Sequence, residues 1–201
     1  MTTPTFEPRP VTLEGDVVRL EPLAHHHAPE LFAAGRDEEL WQYMPRAAFA
    51  SLDDTEAWIE EALAAQERGE SIPFATVLKQ TGHAVGSTRY LDIRPRDRAL
   101  EIGWTWLGRE WLRSAVNSEC KWLLMTHAFE TLGAVRVQLK TDDRNVRSQT
   151  AIERLGAVRE GVLRKSYLVQ HGFHRDSVYF SVLDTEWPDV KARLEGFLRR
   201  D

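Results

Sequence analysis

Apolar and polar residues alternate between Leu100 and Leu107, a pattern typical of a β-strand with one face toward a core. The apolar positions of this strand are Leu100, Ile102, Trp104 and Trp106, and the alternate positions are Glu101, Gly103 and Thr105. After a short irregular segment, Asn117 has the residue type of a helix N-cap, and a helical pattern runs from Ser118 to Leu132. The sequence therefore predicts a strand, a loop and a helix as one unit.

The loop of this unit is a candidate anion site. The first N–H groups of a helix lack partners within the helix, and the helix dipole places positive charge at that end. Phosphate groups bind such N-termini, and Arg113 adds a full positive charge to the loop. The alternative is an ordinary crossover between two strands, with no ligand at the loop.

Similar patterns divide the rest of the chain into short strands and helices. The other predicted strands are Val11–Leu13, Val17–Leu20, Phe74–Lys79, Ala84–Ile93, Val135–Thr141, Val158–Leu163, Tyr167–Val169 and Ser177–Leu183. The other predicted helices are Pro29–Gly35, Thr55–Arg68, Val146–Leu155 and a last helix that ends near Arg199. The order β-β-α-α-β-β-β-α-β-α-β-β-β-α predicts a mixed α/β sheet with a central βαβ crossover.

Composition and charge narrow the classes of function. The 201 residues have the length of one domain, and we expect a single domain from 1 to 201. Hydrophobic residues make up 42% and charged residues 28%, as in ordinary globular proteins. The net charge of -5 disfavours a nucleic-acid partner, which needs a concentrated basic surface. No apolar run is long enough for a membrane helix, so we expect no membrane partner.

Cysteine and histidine usage adds four expectations. Cys120, the single cysteine, cannot form an internal disulfide, and the first residues carry no apolar leader, so we expect a cytoplasmic protein. Cys120 also lies on an apolar helix face, which favours core packing over a nucleophile. Without paired cysteines or an HExxH motif, we expect no metal, and the run His25–His27 is typical of a solvated helix entry.

Four segments of the chain resemble the GNAT acetyltransferase superfamily, in the branch of the ribosomal-protein N-acetyltransferases RimJ and RimL. The segments, in order, are EIGWTWL, AVNSECKWLLMTHAFE, VQLKTDDRNVRSQTAIERLGAVREGVLR and HRDSVYFSVLDTEWP. The likeness covers nearly the whole chain, from Leu13 to Leu194. It implies a mixed, mostly antiparallel central sheet flanked by helices, with CoA held at the βαβ crossover.

The resemblance implies acetyl-CoA as the cosubstrate. Its pantetheine arm is expected beside Gly103, Thr105, Trp106 and Leu107, and its diphosphate over Arg113, Ser114, Ala115, Val116, Asn117 and Ser118. The usual family loop has the form Q/R-x-x-G-x-G/A, but this chain has no glycine there, although glycine suits close approach of the backbone to phosphate. The charge of Arg113 and the small side chains of Ser114 and Ala115 are expected to take its place.

The resemblance also implies roles in catalysis. Asn145 and Ser148 form a family-like N-x-x-S, in which Asn145 would bond the pantetheine arm and the Ser148 hydroxyl would donate toward the CoA sulfur. Either residue can instead cap the helix that follows. Glu101 is expected to be the general base, directly or through water. The alternative for Glu101 is a structural carboxylate paired with an arginine.

Four residues are candidates for contact with the acceptor substrate. Trp41 and Tyr43 belong to an aromatic segment that lines either a substrate cleft or the core. Tyr167 stands where the RimL-like pattern has a glutamate, so we expect it to act as an acid or a substrate contact. Asp176 is a reserve carboxylate that binds the substrate amine or pairs with Arg175.

The expected function is transfer of an acetyl group to a primary amine, either a protein N-terminal α-amino group or a small amine. The alternative, suggested by the glycine-free loop, is a CoA-binding sensor with little or no turnover. The sequence identifies neither the acceptor nor the oligomeric state, and a homodimer stays open.

Overall fold

The computed structural model describes residues 6–199, which form one sheet flanked by helices. The strands are β1 (Leu13–Glu14), β2 (Val18–Pro22), β3 (Ser71–Leu78), β4 (Ala84–Arg94), β5 (Ala99–Leu107), β6 (Arg136–Asp142), β7 (Val158–Leu168) and β8 (His174–Leu183). The α-helices are α1 (Ala28–Ala34), α2 (Leu52–Glu67), α3 (Ala115–Thr126), α4 (Val146–Leu155) and α5 (Trp187–Leu198).

The sheet order is β1-β2-β3-β4-β5-β6-β8-β7. Neighbouring strands within residues 6–199 run antiparallel, except β5 and β6, which are parallel and joined by α3. A parallel pair needs such a crossover, because the chain must return to the same end of the sheet. The predicted mixed, mostly antiparallel α/β fold with a central βαβ unit is confirmed.

The sheet separates two apolar cores. One core lies under α3 and α5 and includes Leu100 and Leu124, and the other lies under α1 and α2 and includes Ile59 and Trp106. Because strand side chains alternate, β3 is buried along its whole length and contributes to both cores. The faces therefore present different surroundings to the two sides of β5.

Local sequence signals set most helix ends. Ser51 caps α2, because its hydroxyl accepts the Asp54 N–H at 3.1 Å. Gly156 ends α4 with a φ of 104°, a left-handed conformation that glycine adopts without strain. Pro188 lies in the first turn of α5, where its missing N–H is not needed.

Two predicted boundaries are wrong. The segments predicted as separate strands, 158–163 and 167–169, belong mainly to the single strand β7. Its register shifts between Leu163 and Tyr167, where Lys165 has a φ of 49°, and this irregularity interrupts the side-chain alternation. The central helix begins at Ala115 and gives way to a π-helical turn, His127–Thr131, instead of running from 118 to 132.

The histidine run forms a 3₁₀ turn at the entry to α1, but His27 is buried, so the expectation of a solvated run fails there. The Nδ1 atom of His27 accepts the N–H of Ala24, and its Nε2 lies 3.4 Å from the Glu21 carboxylate. Glu21, His26 and His27 bring possible ligand atoms within 4.8 Å of one another. Since the contacts of His27 explain its position without an ion, we assign no metal role to the group.

Candidate active site

The parallel strands β5 and β6 separate after three residue pairs. Their pairing joins Ala99–Glu101 to 136–138, while β6 continues along β8 as far as Asp142. Beyond Glu101, the side of β5 that faces β6 has no strand partner in residues 6–199. The backbone N–H and C=O groups there are free to bind an extended ligand, as the edge of a sheet does. The gap between the strands is the candidate groove for the donor substrate.

A β-bulge at Trp104 reshapes β5 beside this gap. Ser87 of β4 pairs with Trp106, but Arg89 pairs with Gly103, so β5 carries one extra residue here. Trp104 has a φ of 50°, and its ring stacks on Arg89. The prediction that the four apolar residues of β5 share one face is therefore wrong. Leu100 and Ile102 enter the core under α3, whereas Trp106 enters the other core.

Glu101 lies at the point where β5 leaves β6, and its side chain is only 1% exposed. Its Oε2 accepts the Gln138 amide at 2.8 Å and lies 3.1 Å from the Lys140 ammonium. The cation beside Glu101 is thus a lysine, not the arginine of the structural alternative. Its Oε1 accepts no hydrogen bond from residues 6–199, and it lies 2.9 Å from where a Cβ on Gly103 would stand. One carboxylate oxygen is therefore held, and the other faces the bulged strand.

The loop before α3 reaches a left-handed conformation without glycine. Arg113 has a φ of 62°, in the region that glycine adopts most readily. Ser114 caps α3, because its hydroxyl accepts the Val116 N–H at 3.3 Å and donates to the Trp111 carbonyl at 2.7 Å. The prediction of Asn117 as the N-cap is wrong. The helix starts at Ala115, so Asn117 lies in its first turn.

The segment predicted as the anion site nevertheless contains the N-terminus of this helix. Positions 113–118 form the cap and first turn of α3, at the end of the connection from β5, as expected for an anion site. The side chain of Glu119, directly after them, turns away and accepts the N–H groups of Asp16, Val17 and Val18 at 2.8, 2.9 and 2.6 Å. Glu119 therefore anchors the first hairpin to α3.

A buried lysine links α3 to the bulged strand. The Lys121 ammonium is 5% exposed and donates to the Thr105 hydroxyl at 2.7 Å, and this hydroxyl lies 2.8 Å from that of Thr88. Burial lowers the pKa of Lys121 to about 8. Within residues 6–199, no carboxylate lies within ion-pair distance of this ammonium. The neighbouring Cys120 is buried, and burial raises the pKa of its thiol to about 12, so it packs as an apolar side chain.

Asn145 and Ser148 flank the start of α4, beyond the end of β6. Asn145 caps the helix, since its Oδ1 accepts the Ser148 N–H at 3.0 Å. The Asn145 side chain therefore caps α4, which is the alternative to its expected hydrogen bond with the pantetheine arm. The Ser148 hydroxyl makes no hydrogen bond to residues 6–199 and is half-buried, so it can donate to a ligand.

The 41–46 segment and the loop between β7 and β8 are joined by hydrogen bonds into one wall. Gln170 holds them together by donating its amide to the carbonyls of Trp41 and Arg46 at 2.7 and 2.5 Å. Arg175 adds a hydrogen bond of 3.0 Å to the Tyr43 carbonyl. Tyr43 also lies 5.7 Å from the Arg144 guanidinium, measured from its ring centre. Tyr43 therefore belongs to this wall.

The other acceptor candidates occupy three different surroundings. The Tyr167 ring is 40% exposed, and its centre lies 5.0 Å from the Lys140 ammonium, which places it near Glu101. Trp41 is 1% exposed and packs in the core, where it has no open surface for a substrate. Asp176 accepts the Lys165 N–H at 2.7 Å and, by strand alternation, points away from the face that carries Arg175. The structure does not bring Asp176 together with Glu101.

Four polar residues of this region are not predicted from the sequence. They are Arg89, Lys121, Gln138 and Lys140. One feature of the sequence could have identified Lys121, because it places a charge on the helical stripe that also carries Cys120 and Leu124. Arg89 leaves a similar signal, a charge inside a strand that is buried on both faces. Gln138 and Lys140 become visible only when β6 is placed beside Glu101.

The divergent central strands, the bulge and the helix N-terminus form one site, and the comparisons with known proteins show its class. The family model described as acetyltransferase (GNAT) domain matches residues 18–158. The chain therefore belongs to the GNAT acetyltransferase family. Within residues 6–199, no helix is long and apolar enough to cross a membrane.

Three known proteins illustrate the similarity. A crystal structure of a GCN5-related N-acetyltransferase from Brucella melitensis has a TM-score of 0.91 and 32% identity, covering 98% of this chain and 89% of that one. Bacillus subtilis YdaF, whose assigned name proposes a ribosomal N-acetyltransferase, is 35% identical over 96 residues, which are 47% of this chain and 51% of YdaF. Mycobacterium smegmatis RimJ, solved with CoA-disulfide, has the same fold, with a TM-score of 0.81, 20% identity and coverage of 94% and 96%.

Proposed function

We propose that this chain, as one domain from 1 to 201, transfers an acetyl group from acetyl-CoA to a primary amine. The acceptor is a protein N-terminal α-amino group or a small amine. The observation that carries the proposal is the free Oε1 of Glu101, which lies over Gly103 where β5 separates from β6. This arrangement puts a proton acceptor beside the gap in which an extended donor would lie.

The residues along the gap fit CoA. The amide groups of a pantetheine arm match the unpaired backbone groups of β5, since each can donate and accept one hydrogen bond. Arg113 and the first turn of α3 offer a guanidinium and free N–H groups to a diphosphate. The CoA-disulfide bound by the structurally similar RimJ supports the same assignment.

Glu101 serves as the general base in this mechanism. Acetyl-CoA supplies a thioester carbonyl and, on its cleavage, a thiolate. Attack on that carbonyl needs a neutral amine, so the Oε1 of Glu101 accepts a proton from the amine, directly or through one water. Lys140 and Gln138 hold the other oxygen and fix the orientation of the carboxylate. The proton passes from Glu101 to solvent after the transfer.

Two other groups stabilise the negative charges that develop during the transfer. N–H groups of the bulged stretch 103–107 donate to the oxygen of the carbonyl under attack. The Ser148 hydroxyl makes no hydrogen bond to residues 6–199, so it donates a hydrogen bond to the departing thiolate, which then takes its proton from solvent. Tyr167, near Lys140, lines the acceptor side of the same gap.

A terminal α-amino group is the acceptor that needs least help from a base. Its pKa is near 8, against about 10.4 for a lysine side chain, so far more of it is neutral at physiological pH. The name of YdaF, a ribosomal N-acetyltransferase, supports a protein as the acceptor. These two considerations place protein N-termini first and small amines second.

The test measures thiol release from acetyl-CoA with a panel of peptides, polyamines and aminoglycosides. Glu101→Gln keeps the shape and the hydrogen bond to Gln138 but removes the base, so we expect kcat to fall by about 100-fold or more. The matched control is Glu153→Gln, an exposed carboxylate on α4, which should leave kcat unchanged.

Two results would count against the proposal. Absence of thiol release with every amine, while CoA still raises the melting temperature, would make the chain a CoA sensor. Full activity of Glu101→Gln would remove Glu101 from the mechanism and leave the transfer itself standing.

A further inference from the structure

Arg89 of β4 is an arginine held between two tryptophan rings inside the protein. Its side chain is 7% exposed, and its guanidinium carbon lies 5.1 Å from the ring centre of Trp58 and 4.9 Å from that of Trp104. The attraction of the guanidinium to the two rings uses none of its N–H groups as hydrogen-bond donors to oxygen. Its N–H edges stay available for hydrogen bonds.

No residue from 6 to 199 uses those edges. The guanidinium of Arg89 makes no hydrogen bond and no ion pair within this range, and its Nε is buried without a partner. Glu61 and Arg46 are the charged groups that influence it, and Arg46 is already paired with Asp54 at 2.9 Å. Burial lowers the pKa of Arg89 to about 10, so the group keeps its charge at neutral pH.

A buried cation without a counter-ion is costly, and a protein usually pairs it or uses it. Among the described residues, the surroundings of Arg89 supply further donors, while the Glu61 carboxylate acts on it only at a distance and forms no ion pair with it. The indole N–H groups of Trp58 and Trp106 are also buried without partners. A cluster rich in unpaired donors is suited to a ligand that brings oxygen acceptors and negative charge.

Arg89 stands next to the proposed general base. It pairs across the sheet with Gly103, and Leu91, two residues further along β4, pairs with Glu101. Arg89 and Glu101 therefore project from the same face of neighbouring strands, at diagonal positions roughly 7 Å apart. They form no ion pair, and Lys140 and Gln138 contact the Oε2 atom of Glu101 instead.

We propose that Arg89 binds a carboxylate of the acceptor, so the preferred acceptor carries a carboxylate a few bonds from its primary amine. The inference rests on the proposed function, because it uses Glu101 as the place where the amine reacts. Two sources supply this chemistry, a free amino acid and a peptide with an acidic first residue. A polyamine, which has no anion to offer, is disfavoured.

The test compares acceptors that differ only in the carboxylate. One pair is a peptide with glutamate or glutamine as its first residue, and the other is serine and serinamide. We expect wild-type kcat/KM to favour the carboxylate by about tenfold or more in at least one pair, and the responding pair identifies the source. In Arg89→Gln the preference should fall to nearly equal rates.

The matched control is Arg193→Gln, which removes an exposed arginine from α5, on the opposite side of the sheet. It should keep the wild-type preference. A wild-type enzyme without preference in either pair overturns the inference, and so does a preference that survives Arg89→Gln. Because the first comparison uses the wild type alone, a misfolded variant cannot hide the answer.

Failure of the proposed function gives a different result. Without thiol release from any amine, acceptor binding is measured by calorimetry with the same pairs. Tighter binding of the carboxylate members, lost in Arg89→Gln, supports Arg89 as an anion site, and equal binding rejects it.

Discussion

Replacement of Lys121 by methionine is expected to stabilise the protein at neutral pH, although it removes a hydrogen bond. Methionine has a similar length but no charge, so it keeps the contacts of the stem between α3 and β5. The Lys121 ammonium is buried without a carboxylate within ion-pair distance in residues 6–199, and its Thr105 partner is neutral. The substitution therefore removes a desolvated charge.

The size of the effect follows from the pKa. Burial lowers the pKa of Lys121 from 10.5 to about 8. This difference corresponds to about 3 kcal/mol against the charged form in the folded protein. Loss of the hydrogen bond to Thr105 lowers the stability by about 1 kcal/mol and offsets part of this gain. The free energy of unfolding should thus rise by about 2 kcal/mol near pH 7.

The same pKa fixes the pH dependence and its sign. The folded pKa lies below the unfolded one, so between about pH 8 and pH 10.5 the unfolded chain binds more protons. The stability contributed by this group therefore rises with pH across that window. At pH values below the window, the buried charge destabilises the folded protein by its full amount. The advantage of Lys121→Met should shrink to nearly zero by about pH 10.

The assay is urea unfolding of both proteins, followed by tryptophan fluorescence, at about pH 7 and about pH 10. Comparison with the wild type at each pH cancels the titration of other groups. Lys191→Met is the control, since its ammonium is partly exposed and paired with Glu130, and it should change stability by less than about 1 kcal/mol at either pH. A destabilised Lys121→Met at pH 7, or a gain independent of pH, would refute the reasoning.

Substitutions at three further positions test other parts of the structure. In Gly103→Ala the new methyl would stand 2.9 Å from the Glu101 Oε1, so kcat should fall about tenfold or more while the melting temperature changes little, and normal kinetics would contradict this geometry. Arg113→Gly and Arg113→Ala should both weaken CoA binding in titrations. Only the glycine variant should gain stability, by about 1 kcal/mol, because glycine adopts the positive φ without strain. Equal stabilities of the two variants would disprove backbone strain at this position. Glu119→Gln weakens the anchor of the N–H groups of residues 16–18, so urea unfolding should show a loss of about 2 kcal/mol, and an unchanged stability would count against that anchor.

Much of the fold is readable from local patterns, because local physical chemistry decides it. The alternation in 100–107 predicts β5, and Ser51, Gly156 and Pro188 mark helix ends through backbone geometry and hydrogen bonds that involve only a few neighbouring residues. The order of elements and the family likeness then predict the crossover and the place of the anion site.

Some local predictions nevertheless fail where two nearby residues compete for one role. Ser114 and Asn117 both have capping side chains, and the sequence alone favoured the wrong one. The choice depends on Arg113, which takes a positive φ and lets the helix begin three residues earlier. Because Arg113 is not a glycine, its residue type does not predict a positive φ.

The sequence by itself determined the strands, the helices and the family, because these follow from side-chain periodicity and residue type. Only the tertiary structure decided the chemistry of the site. The bulge at Trp104 depends on the pairing of β5 with β4, and the partners of Glu101 come from β6, far along the chain. The burial of Arg89 and Lys121 without counter-ions likewise arises from packing between distant elements, which no pattern of neighbouring residues records.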